Sequence, residues 1–308
     1  MKIAIPSRET FEGVNPITQR SFKNVYFGSV LDHNLPISTS PEWDDAKSYN
    51  IGDVVKIDSL KGEYISLIDN NTTYPPISSS WNDITVNEYR FRNAKPTAQT
   101  ESTDNIVVDF DVTTNDIVVG MHLEEIERVL IQEIDEQGSI IRDLYNIEMA
   151  NWVFFDCFSC CNLHEIKTNF SADLDGCGFV KKIRVSLLGS SNKNRKVGVL
   201  AVAKKHDIGC LVDNAEISNQ STSKYEVEMG DLAFQGGSSL AVMTGTLSLD
   251  IDRKKIVSDI LDGNQNKLNF YVIDEHSIIL GSHYETVMPL NSPRDTTITY
   301  EINIKGVK

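Results

Sequence analysis

The chain has no apolar run long enough to cross a membrane, no leader-like start and no local catalytic signature. Its longest apolar stretch, near Val197 to Ala203, is far below the roughly 18–20 residues a spanning helix needs. Met1-Lys2-Ile3-Ala4-Ile5 is cut short by Pro6, Ser7 and Arg8, so no signal-peptide h-region forms. The expectation is synthesis in a cytoplasm, without a signal peptide and without membrane insertion. Basic clusters are short: Lys181-Lys182, Lys193 to Lys196, and Arg253 to Lys255. The 5 cysteines are an odd number, and without a secretion signal they argue against a disulfide framework. There is no G-x-S-x-G elbow, no H-E-x-x-H and no phosphate-binding G-x-x-x-x-G-K-[ST]. Phe234-Gln235-Gly236-Gly237-Ser238-Ser239 has glycines, but not the strand–loop–helix order of a phosphate cradle. The 6 histidines are scattered among polar neighbours.

What is present is an ordinary globular composition. Of 308 residues, 40% are hydrophobic and 24% charged, enough for two or three domains with buried cores. The net charge is −15. Such a surface repels nucleic acid and keeps a protein soluble at high concentration before it assembles.

Residues 1–41 lack sustained periodicity and are interrupted by Pro6, Pro16 and Pro36, which predicts an extended arm packed along the rest of the chain or a neighbouring subunit. Residues 42–88 differ. Trp43, Tyr49, Tyr64, Tyr74 and Trp81 crowd together with Gly52, Gly62, Pro75 and Pro76. Val54 to Ile57 and Glu63 to Leu67 are expected strands joined by a turn at Leu60-Lys61-Gly62, a compact β module needing aromatic bulk for a core. From residue 89 to 308 short β-forming runs recur, with Asp135-Glu136-Gln137-Gly138 as a hairpin loop. Asp252 to Leu261 has helical spacing, with Asp250 or Asp252 as N-cap and Gly263 as stop. The fold class expected is mainly β. A small module precedes a β-sandwich region with one short helix, divisible into about 89–210 and 211–308.

The run Cys157-Phe158-Ser159-Cys160-Cys161-Asn162-Leu163-His164 suggests zinc. Cys177 and Cys210, however, have no partner at knuckle spacing, so packing is the preferred reading and no metal is expected. Asp109/Asp111, Asp173/Asp175 and Asp250/Asp252 could suggest calcium. The bidentate Glu that closes a calcium loop is missing, and solvated strand ends are the better account. No cofactor and no catalytic residue is expected, although distant carboxylates can make a glycosidase without any local motif.

Residues 42–86 resemble the family 5/12 carbohydrate-binding (chitin-binding) module. The match runs through Trp43, then Tyr49-Asn50-Ile51-Gly52-Asp53-Val54-Val55, then Gly62-Glu63-Tyr64, then Asn70, Asn71 and Pro75-Pro76, and ends at Trp81. The step from Gly62 to Tyr64 is one residue shorter than the family's. Where the family places adjacent aromatics, this chain has Ser66-Leu67-Ile68-Asp69. The resemblance implies a carbohydrate site on Trp43, Tyr49, Tyr64 and Trp81, provided the rings are exposed. The preferred reading of Trp43, Tyr64 and Trp81 is instead the module's own core, given how little else could fill it.

The whole chain resembles a family of bacteriophage virion proteins, in which a short N-terminal segment precedes this module, a junction and a long β region. Here the junction is Asn87-Glu88-Tyr89-Arg90-Phe91, and later echoes are Trp152-Val153-Phe154-Phe155 and Gly198-Val199-Leu200. The resemblance implies a non-enzymatic structural component of a tail, baseplate or neck, located in the virion. Its partners would be other virion proteins in a symmetric homo-oligomer. The alternative is a host-surface glycan adhesin using the 42–88 module; more remote is a cell-wall polysaccharide hydrolase.

Overall fold

The structure is a computed structural model that describes residues 1–93, 99–112, 116–149, 169–174, 177–178, 180–190, 193–212, 216–221, 224–228, 231–235, 239–267, 269–272, 278–288 and 296–306. It is mainly β. The chain opens with β1 (Lys2–Pro6), β2 (Arg8–Val14), β3 (Ser21–Phe27) and β4 (Val30–His33). The module supplies β5 (Val54–Ile57), β6 (Gly62–Ser66) and β7 (Trp81–Asp83), followed by a single helical turn, α1 (Asn87–Arg90). Next come β8 (Thr100–Ser102), β9 (Ile106–Asp111), β10 (Ile117–Glu124), β11 (Arg128–Ile134), β12 (Ile140–Glu148), β13 (Asn169–Asp173), β14 (Lys182–Leu188) and β15 (Arg195–Asp207). The last third holds β16 (Cys210–Leu211), β17 (Glu216–Ser221), β18 (Lys224–Glu228), β19 (Asp231–Gln235), β20 (Ser239–Asp250), α2 (Lys254–Asn264), β21 (Asn269–Val272), β22 (Ile278–Val287) and β23 (Thr297–Gly306).

Two sheets dominate. An 11-stranded antiparallel sheet follows the order β13-β10-β15-β1-β21-β22-β23-β20-β16, with β8 also on β15 and β17 also on β20, and a five-stranded sheet follows β12-β11-β14-β9-β4. Strand alternation turns Ile117, Val119, Met121 and Leu123 of β10 toward Val108, Phe110, Ile131, Val185 and Leu187 of the smaller sheet, giving a sandwich core. Farther along, the same face of the large sheet presents Ile3, Tyr271, Ile302 and Ile304 to Val257 and Leu261 of α2. The opposite face carries Ala4, Val118, Ala201, Ala203 and Phe270, closed by Phe27.

Residues 1–41 are not the extended arm that their irregular sequence suggests. β1 pairs with β15 on one side and β21 on the other, β2 and β3 form a hairpin, and β4 is an edge strand against β9. The reason is tertiary. Five residues have too little local signal to announce a strand, but both ladders of β1 are completed by strands about 200 or more residues away. Consequently 89–210 and 211–308 share one continuous sheet, joined through β1.

The helix keeps one expected end and overruns the other. Asp250 is the extended N-cap of a 3-10 turn over Ile251–Arg253 that leads straight into α2, and neither Asp250 nor Arg253 makes a side-chain cap bond. The helix runs through Gly263 to Asn264. The hairpin at 135–139 forms as expected: Gly138 has φ of +81° and its N–H donates to Asp135 O at 3.1 Å. The strand expected at Trp152 to Phe155 and the cysteines at 157, 160 and 161 lie outside the described residues.

Candidate functional site: the aromatic module and the cleft beside it

β5, β6 and β7 form a three-stranded sheet too small to bury a conventional aliphatic core. Rings fill the deficit. Tyr49, Tyr64, Tyr74 and Trp81 cluster with Val55, Ile57 and Leu60, and Trp43 and Phe22 pack on the outside. Tyr49 and Trp81 meet edge to face at 5.5 Å, as do Trp43 and Tyr74 at 5.0 Å. Two of the polar ends are satisfied within the module: Trp81 Nε1–H donates to Thr73 O at 2.9 Å, and Asp44 N–H donates to Tyr49 Oη at 2.8 Å, while the buried Nε1 of Trp43 has no hydrogen-bond partner. The turn into β6 uses a left-handed Lys61 at φ +52°, while Gly62 leaves room for the Tyr64 ring, whose Cε2 and Cζ lie 2.8 Å from where a Cβ would stand.

This placement corrects the sugar-platform reading. Tyr49, Tyr64 and Trp81 are 7%, 3% and 6% exposed, and a ring shielded to that degree offers no face to a pyranose. Burial, reinforced by Asp83, drives the Tyr64 hydroxyl well above its ordinary pKa. Trp43 is half-buried, one face engaged by Tyr74. The rings hold the module together.

The module is fastened to its surroundings. Tyr26 of β3 donates to Lys61 O at 3.0 Å and Asn24 donates to Leu60 O at 2.9 Å. Phe11, Tyr26 and Tyr89 form an edge-to-face triangle with centroids 5.4–5.7 Å apart. The buried Arg92 guanidinium stacks over Tyr89 at 4.9 Å, donates to Phe27 O at 2.7 Å and pairs with Glu9. Ser38 and Ser40 donate their hydroxyls to buried Glu63 at 2.7 and 2.5 Å, and Ser38 N–H donates to buried Glu88. Glu63 and Glu88 thus converge on the connector between β4 and β5, away from the cleft lined by Phe22 and Trp81.

Between β3 and the loop preceding β7 lies a cleft of about 430 Å3, bordered by Phe22, Lys23, Asn24, Pro76, Trp81 and Asp83 among others. Its walls combine apolar patches with hydroxyl, amide and both signs of charge, a lining suited to binding and not to a proton relay. One wall of it, Phe22, Lys23 and Asn24, comes from the N-terminal hairpin. No local signal announces that contribution, because Phe22 and Asn24 reach the module only through the fold.

Among the described residues no group of three or more His, Cys, Asp or Glu side chains converges as a metal site. Two of the carboxylates considered for calcium, Asp109 and Asp173, are held by the protein's own cations, and Asp175 lies outside the described residues. Arg184 donates two parallel bonds to Asp109 at 2.7 and 2.8 Å, and Asp173 pairs with Lys205 and Lys2. Cys177 is half-buried against the sandwich core and Cys210 is exposed. No helix among the described residues is long and apolar enough to cross a membrane. Comparison with known proteins finds no matching family model, and no curated protein or solved structure similar to the chain.

Proposed function

We propose that this chain is a non-enzymatic structural component of a bacteriophage virion, in a tail, baseplate or neck, where it makes assembly contacts with other virion proteins. The observation that carries the structural role is the use of Tyr49, Tyr64 and Trp81 as a buried core, in a module bolted to the hairpin and to α1. Rings committed to cohesion and a module without a free hinge suit a rigid assembly part better than a reaching, sugar-stacking head. The virion assignment rests on the sequence resemblance of the module, the junction and the β region that follows. The test is deletion of the coding region from a phage that carries it, with particles imaged before and after complementation. Particles that lack a tail, baseplate or neck feature, restored by the wild-type chain, are the expected result. Complete particles without the chain would reject the reading.

Glycan adhesion is the second reading, and the cleft beside Trp81 favours it. Binding of cell-wall or chitin oligosaccharides by the full chain, lost on Lys23→Ala or Asp83→Ala with the fold intact, would promote it above the first.

A further inference from the structure

At one end of the module the chain exposes three aliphatic side chains on a rigid mount. Ile51, Leu67 and Ile68 are 63%, 47% and 46% exposed, and the segments that carry them run side by side. Gly52 N–H donates to Ser66 O at 2.9 Å and Ser66 N–H to Asp53 O at 2.9 Å. Tyr49 and Asn71 exchange both backbone bonds, and Leu67 N–H donates to Ser80 O at 2.8 Å. Side chains brace the turn from inside: Asn71 Nδ2 donates to Ser66 Oγ at 3.0 Å, and Ser66 Oγ donates to Ile68 O at 2.8 Å. A loop tip tied this firmly has little conformational entropy left to lose on docking, so exposed apolar side chains on it are preorganised for contact.

The charge around the tip has one sign. Across 44–53 and 66–71 there are four carboxylates, Asp44, Asp45, Asp53 and Asp69, and one ammonium, Lys47, which is itself paired to Asp44 at 3.6 Å. Asp53 and Asp69 directly flank the aliphatic residues, accepting the backbone N–H groups of Asn50 and Ile51 at 2.7 and 3.1 Å. A second copy meeting tip to tip would set two acidic rims against each other, in a chain already at −15. A partner with the opposite rim is attracted.

We propose that Ile51, Leu67 and Ile68 are the anchor of a docking surface for a different protein, one that receives them in an apolar hollow rimmed by Lys or Arg. The proposal rests on the reading of the chain as an assembly component and names the surface that such a component would use.

The test uses phage particles grown in a deletion background and complemented by three full-length chains: wild type, an Ile51→Ser/Leu67→Ser/Ile68→Ser variant, and Ile68→p-benzoylphenylalanine for photo-crosslinking in the particle. With the triple variant folded like wild type by near-ultraviolet circular dichroism, its occupancy in particles should fall at least about tenfold, the loss of roughly one such anchor. The crosslink from position 68 should join a peptide of another virion protein containing Lys or Arg. Equal occupancy of the triple variant and wild type overturns the docking surface while leaving the assembly reading in place. A crosslink to another copy of this chain, or none when a control at Ile17 does crosslink, overturns it as well. If the triple variant does not fold, the crosslink alone decides. Wild-type chain absent from particles removes both readings together.

Discussion

The ring of Phe270 lies on Gly120: a Cβ at Gly120 would come within 2.4 Å of Phe270 Cε1. The two residues belong to β21 and β10, which are separated in the large sheet by β15 and β1. That reach across intervening strands is possible because the shared face carries Ala4, Ala201 and Ala203, and small side chains let the sheet curl inward over the ring. The curl also gives the buried Lys205 an ion-pair partner in Asp173 on β13.

Gly120→Ala should therefore destabilise the protein by about 1–3 kcal/mol, since the added methyl meets an aromatic ring with nowhere to move. The check is urea denaturation of Gly120→Ala, Phe270→Leu and the double variant. The double variant should lose less than the sum of the singles, because each change relieves the other.

Within the module, Trp81→Ala should cost about 3–5 kcal/mol by opening a cavity in a core made of rings. It also leaves Thr73 O without its indole donor. Trp43→Ala, at the half-buried rim, should cost distinctly less. Limited proteolysis of the two variants within 42–88 separates them: cleavage should accelerate for Trp81→Ala and change little for Trp43→Ala. Any sugar-binding assay on Trp81→Ala must accordingly be read beside a folding control.

Glu63→Ala removes the acceptor of two serine hydroxyls, from Ser38 and Ser40. A loss of about 1–3 kcal/mol is expected from the stranded donors and the cavity. Thermal unfolding of the variant beside wild type measures it, and Ser38→Ala/Ser40→Ala added to Glu63→Ala should lower stability little further.

The buried pair His283 and Tyr271 predicts a stability plateau with two edges. His283 Nε2 faces Leu261 O at 2.8 Å, a group that can only accept, so the proton sits on Nε2, and Nδ1 accepts from Tyr271 Oη at 2.6 Å. Burial depresses the imidazole pKa below its ordinary 6.5. The unfolded chain therefore binds the proton first. Stability is full above about pH 6.5 and falls as pH drops below it, by at most about 1.4 kcal/mol per pH unit for one proton. Burial raises Tyr271 from 10.0 to about 12, so its contribution is full below pH 10 and lost as pH rises toward 12. Melting temperature followed from pH 5 to 7 should fall less steeply toward acid in His283→Gln than in wild type. Parallel slopes would show that His283 is not the titrating group.

Where ring density and turn chemistry were local, the sequence was sufficient. The β module at 42–88, the 135–139 hairpin and the helix before β21 follow from aromatic crowding, a glycine at positive φ and 3.6-residue spacing, all short-range properties. For the rings, sequence alone favours the core role of Trp43, Tyr64 and Trp81 without deciding it. Tyr49, Tyr64 and Trp81 have the same side chains whether they face solvent or one another, and only the packing of the hairpin and the 71–81 loop around them decides for the interior.

The sequence by itself determined a mainly β chain with an acidic surface, because alternation, β-branched content and net charge are written residue by residue. The tertiary structure alone decided that residues 2–6 are a central strand, that the two halves of the β region share one sheet, and that Phe22, Lys23 and Asn24 form one wall of the cleft beside Trp81. Each of those outcomes depends on hydrogen-bond partners and neighbours far away in the chain, and a sequence pattern read in windows carries no term for them.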